Sequence, residues 1–149
     1  IYLDAITNYF DGDIWLDVKN LNPDNSVKIC EEVKKLNIER PNKSIYIESR
    51  SLTSSSNLIS RGCKHIQWLT SAQLNKKDKL FNSTYESDES FPIISGHYKT
   101  YDKLSKFKSS QLAIWTNKIQ DISELYGFDY SRFKYILMDL PWVKELYVD

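Results

Sequence analysis

Asp17 and Lys19 stand two residues apart in an otherwise apolar stretch, Ile14-Trp15-Leu16-Asp17-Val18-Lys19. In a β-strand the side chains alternate. Trp15, Asp17 and Lys19 then share one face, and Ile14, Leu16 and Val18 share the other. The aliphatic face packs on helices. The opposite face gathers an indole, a carboxylate and an ammonium. Charges are costly to bury without partners. These must pair with each other, bind a metal or sit at an open strand end. Glu48, at the end of SIYIES, and Asp139, in YILMDL, bring further carboxylates to strand ends, and Trp115 in QLAIWT brings an aromatic. Converging carboxylates suit a divalent cation with oxygen ligands. A lysine beside them suits a phosphate. The plainer reading makes Asp17–Lys19 a partly buried ion pair, with Glu48 and Asp139 as helix caps or solvent-facing strand ends.

These residues need strands to carry them. Six short runs have strand length and β-branched or aromatic composition: 14–18, 44–49, 65–70, 91–98, 111–116 and 135–140. Most gaps between them show helical spacing. Pro23, with Asp24 and Asn25 as capping candidates, opens a helix carrying Val27, Cys30, Val33 and Leu36. Leu52 to Ile59 form a second, closed by Gly62. Tyr101, Leu104 and Phe107 mark a third, and Ile119, Ile122, Leu125 and Tyr126 a fourth closed by Gly127. Leu3, Ile6 and Phe10 share a helical face at the start of the sequence.

Strand and helix alternating in this way predict parallel strands joined by crossovers. The nearly continuous apolar runs fit a sheet covered on both faces. About six βα units over residues 1–149 therefore make a single α/β domain. It is part of a (β/α)8 TIM barrel or, alternatively, a doubly wound open sheet. A full barrel takes about 250 residues, so the barrel reading makes this the C-terminal part of a longer one. Residues 71–90 are long and polar, with a basic half and an acidic half, and read as a loop.

Composition removes several function classes. Twenty basic and twenty acidic residues give zero net charge, which offers no electrostatic footprint for nucleic acid. No run is long and apolar enough to span a membrane. With only four glycines and no G-x-G-x-x-G, G-x-x-x-x-G-K-[ST] or G-x-S-x-G, nucleotide-binding and serine-hydrolase readings are weak. Cys30 and Cys63 read as two buried thiols, with a disulfide left open. His65 begins its strand, away from the rim where sites form, and reads as structural. His97 ends its strand on the rim side, where it lines a pocket, caps a turn or faces solvent.

The ordered motifs resemble a known family. LDVK (16–19) resembles the L-E-x-K strand of glycerophosphodiester phosphodiesterases. AIWTN (113–117) is similar to their V-W-T-V-N strand, and YILMDLPW (135–142) to their final G-I-I-T-D-Y-P strand. IYIES (45–49) sits where the family has a strand ending in a polar pair. The likeness spans roughly residues 3 to 149. It implies a TIM barrel that hydrolyses phosphodiesters at its C-terminal rim with a divalent cation, Mg or Ca. Two histidines act there as general acid and base.

By this resemblance Asp17 is the metal-binding acid, one methylene shorter than the family's Glu. Lys19 is the catalytic lysine that contacts phosphate, and Trp115 lines the pocket. Asp139 has a supporting role behind the ligands. The family's first two strands, with both histidines and an E-x-D pair, have no counterpart before Asp13. The catalytic histidines are therefore expected outside this sequence.

The expected function is a metal-dependent phosphodiesterase acting on a small glycerophosphodiester or polyol-phosphate substrate, with Glu48, Trp115 and His97 lining the pocket. The alternative is a non-catalytic α/β binding or interaction domain that uses 71–90 as its contact surface. Raw sheet edges invite pairing, so a partner segment or a second copy of the chain is expected to cover them.

Overall fold

A computed structural model describes residues 12–38, 43–75, 93–107, 111–116 and 126–138. The expected helix over 3–10, most of that over 119–126, Asp139 and most of 71–90 lie outside them. The chain is an α/β protein of parallel strands with helices between them, as its alternating pattern predicts. It divides into two units, Ile1–Trp68 and Leu69–Asp149.

In the first unit β1 (Ile14–Asp17), β2 (Ile45–Ser49) and β3 (His65–Trp68) pair side by side in chain order. Helices α1 (Pro23–Ile38) and α2 (Leu52–Ser60) connect them. The cap of α1 is Asn22, one residue before Pro23, rather than Asp24 or Asn25. Its Oδ1 accepts from the backbone N–H groups of Asp24 and Asn25 at 3.0 Å, and its own N–H donates to Asn25 Oδ1 at 2.9 Å. Pro23 then takes the first helical position, where its missing N–H costs nothing. Helix α2 starts at Ser51, whose side chain accepts from Ser54 N–H. It ends where Gly62 adopts φ +70° and the N–H groups of Gly62 and Cys63 return to Ile59 O and Leu58 O. That is a Schellman turn, and glycine is favoured there for its positive φ.

Both helices pack on one face of the sheet. Cys30, Val33, Ile45, Ile47, Leu58 and Cys63 form the buried core, with Ile14, Leu16 and Val18 against it. The Schellman turn sets Cys63 beside α1, and Cys30 and Cys63 are joined by a disulfide, with Cα atoms 5.9 Å apart. The expectation of two free thiols is thereby corrected. The pair stand 33 positions apart in sequence, and only the packing of α1 against the end of α2 brings them together.

In the second unit β4 (Ile93–His97), β5 (Leu112–Thr116) and β6 (Phe133–Met138) likewise pair in chain order. A short helix α3 (Ser71–Asn75), a 3-10 turn (Tyr98–Thr100) and α4 (Tyr101–Leu104) complete it. The start of the expected 71–90 loop is thus helical. Thr70 and Gln73 bond each other reciprocally, Gln73 N–H to Thr70 Oγ1 at 3.2 Å and Thr70 N–H to Gln73 Oε1 at 2.9 Å. This is a capping box. A Cβ on Gly96 would fall 2.9 Å from both Leu104 Cδ1 and Thr100 Oγ1, so α4 lies directly on the β4 backbone. Strand β6 begins at Phe133, two residues before the expected start, because Phe133 packs on the cluster of Leu69, Ile94, Leu104 and Leu112.

Each unit alone is a three-stranded parallel run in chain order. Barrels and the halves of doubly wound sheets both contain such runs. No described helix is long and apolar enough to cross a membrane.

Candidate functional site

The register of the first unit decides which side chains meet. Trp15 lies opposite Tyr46, Asp17 opposite Glu48, and Glu48 opposite Ile66. One face of the sheet therefore displays Trp15, Asp17, Tyr46, Glu48, Ile66 and Trp68, while the other carries the helix-packed core. Asp17 and Glu48 stand side by side at the C-terminal ends of β1 and β2. Sites in parallel α/β proteins form at such ends.

Glu48 is fixed by a neighbour. Trp15 Nε1–H donates to its Oε2 at 2.6 Å. Burial pushes the Glu48 carboxyl above the usual carboxylate range, and the charge of Asp17 adds to this. The Trp15 bond opposes the rise, as do the nearby cations Arg50 and Lys19. The Lys19 ammonium pairs with Asp17 Oδ2, and both side chains are substantially exposed, 73% and 42%. Such a pair is worth only about 0–1 kcal/mol, so Lys19 can leave Asp17 at little cost. Arg50, two residues past Glu48, lays its guanidinium on the Trp68 ring, with Cζ 3.3 Å from the centroid.

The structure thus brings Asp17, Lys19 and Glu48 together on one face of the first unit. His97 and Trp115 belong to the second unit. They are register partners on β4 and β5, and their rings meet edge to face at 4.7 Å. His97 Nδ1 also accepts from Lys99 N–H at 3.4 Å, capping the 3-10 turn. Asp139 lies outside the described residues. Arg50 and Trp68 are the participants that the motif reading missed. Their signal was the same two-residue alternation: Glu48-x-Arg50 and Ile66-x-Trp68 repeat the spacing of Trp15-x-Asp17.

The donors can be matched to a cation. Among the described residues no group of three or more His, Cys, Asp or Glu comes together to hold a metal. Asp17 with a neighbouring carboxylate is a small donor set. It suits a magnesium-type ion, which takes most of its shell from water and phosphate, better than calcium, which needs six to eight oxygens. No protein-family model, curated protein or solved structure matches this chain, so the likeness in LDVK, AIWTN and YILMDLPW rests on those motifs alone.

Proposed function

We propose that the first unit carries a phosphodiester-hydrolysing site acting on a glycerophosphodiester or polyol-phosphate substrate. The observation that supports this reading is the pairing of Asp17 with Glu48 at adjacent strand ends, with Lys19 on Asp17. Asp17 would hold a magnesium-type cation, which when bound offsets charge on the phosphoryl oxygens. Lys19 is the mobile partner. Leaving Asp17, its ammonium reaches a non-bridging phosphate oxygen as a point charge. Glu48, with Oε2 fixed by Trp15, keeps Oε1 to accept a hydrogen bond from a substrate hydroxyl. A polyol leaving group supplies such hydroxyls. Half-buried Trp15 walls the site with an apolar surface.

Calorimetry with magnesium, comparing the full chain with Asp17→Asn, tests the cation role. The wild type should bind and the variant should lose the heat; equal heats remove Asp17 from the site. Hydrolysis of a glycerophosphodiester followed by phosphorus NMR tests the reaction. Because the acid–base histidines are expected outside this sequence, binding of a glycerophosphodiester by this chain with magnesium present is the deciding readout, and its absence sinks the proposal.

A further inference from the structure

Arg50 stands two residues past Glu48. Its guanidinium lies flat on the Trp68 ring. Among the described residues no hydrogen bond or ion pair engages its N–H groups. Arg50 follows Glu48 by two residues, and Trp68 follows Ile66, the register partner of Glu48, by two. The stack is therefore the next cross-strand pair along the face that carries Asp17 and Glu48. Arg50 also lies close enough to Glu48 to oppose the rise in its proton affinity, as Lys19 does.

Stacking fixes the plane of a guanidinium and removes much of the rotamer freedom that binding would otherwise cost. It covers one face of the group and leaves the edge, where the N–H donors project. A planar fork of donors matches two oxygens of a tetrahedral oxyanion. An arginine kept only to balance Glu48 would bond it directly, yet the bond to the Glu48 carboxylate comes from Trp15.

We infer that Arg50, held on Trp68 beside Glu48, is the phosphate clamp of this site, gripping two phosphate oxygens through its guanidinium edge. The inference rests on the proposed phosphodiester reading and adds a residue that the motifs do not contain. Lys19 supplies a mobile charge; Arg50 supplies direction. The specificity that follows is for a phosphate group presenting two free oxygens to one side, which phosphodiesters and phosphomonoesters both offer and a carboxylic ester does not.

The test is calorimetric titration of the full chain with inorganic phosphate in the presence of magnesium. Arg50→Lys keeps the charge and removes the stacked fork. It should weaken phosphate binding about tenfold or more, the scale of a charge-assisted hydrogen bond. Trp68→Phe keeps a ring beneath the guanidinium and should weaken binding less than Trp68→Ala. In the wild type, the Arg50 Nε–H resonance should move on phosphate addition, a readout independent of any variant. Arg50→Lys binding phosphate as tightly as wild type, or an Arg50 resonance that stays still while phosphate binds, overturns the clamp. If a glycerophosphodiester still binds with magnesium in that case, the proposed function stands without it. A wild-type chain that binds neither phosphate nor a glycerophosphodiester removes both.

Discussion

His65 gives the sharpest quantitative test of the fold. It opens β3 with 3% of its surface exposed, in register with core residue Ile47. Its Nε2 has no hydrogen-bond partner among the described residues. An imidazolium there would be a buried charge, and burial pushes the pKa from 6.5 down to about 4. Between these values the unfolded chain binds a proton that the folded chain refuses, so stability falls as pH falls. The contribution is intact above pH 6.5, declines through the interval and levels off near pH 4, where both states are charged. At about 1.4 kcal/mol per pH unit, the loss is about 3 kcal/mol. That is a large share of the ~5–15 kcal/mol that holds a typical domain together.

The assay is urea denaturation at pH 7.5, 6, 5 and 4 for wild type and His65→Leu, which fills the site without a titrating group. Carboxylates contribute to the pH dependence of both proteins, so the informative quantity is the difference between the two curves. Wild type should lose about 3 kcal/mol more than the variant between pH 7 and pH 4. Parallel curves would show that His65 is hydrated or paired in the folded state, and the burial argument would fail.

Three further outcomes are expected. Removing the Cys30–Cys63 bond by paired alanine substitution should lower stability by about 4 kcal/mol, the loop-closure value for a sequence separation of 33, read from the urea midpoint; unreduced, denatured wild type should show no thiol towards Ellman's reagent. Gly96→Ala should cost about 1–3 kcal/mol, because Leu104 and Thr100 must give way; a Tm equal to wild type would mean α4 sits further from β4. Trp15→Phe removes the N–H that favours charged Glu48, so its carboxyl should titrate still higher by carbon NMR; a downward move would mean the indole only buries the carboxyl.

Alternation along β1 correctly placed Trp15 and Asp17 on one face, because a period of two follows from strand geometry whatever the tertiary context. Glu48 likewise stands opposite Asp17 at the neighbouring strand end. Gly62 marked the end of α2 because few residues other than glycine adopt positive φ readily. What local pattern missed was contact between distant segments. Nothing in the spacing of Cys30 and Cys63 foretells their bond, which depends on how α1 packs against α2. Nothing in the local pattern singles out Arg50, and only the β2–β3 register puts it on Trp68. The helix at Ser71–Asn75 was overlooked within a polar stretch, although Thr70-x-x-Gln73 carries the capping-box spacing that announces it.

The two faces of the first sheet carry different side chains, the helix-packed core on one and the charged groups on the other. The helix-packed face holds Ile14, Leu16, Ile45, Ile47 and His65, and α1 and α2 against it hold the disulfide. Gln67, also on that face, is held by Ser55 and by the backbone carbonyls of Ser49 and Trp68. The opposite face holds Trp15, Asp17, Glu48 and Trp68, joined by a hydrogen bond, a stacked guanidinium and an exposed ion pair. Because neighbouring side chains on a strand point to opposite faces, Asp17 can be changed without opening a cavity beneath Leu16. Variants at Asp17 or Arg50 should therefore alter ligand binding at nearly unchanged urea midpoints, and His65 variants should do the reverse. A variant of Asp17 that unfolds the chain as readily as a core truncation would mean that this face is held together by its charges, and a binding role for them would lose its footing.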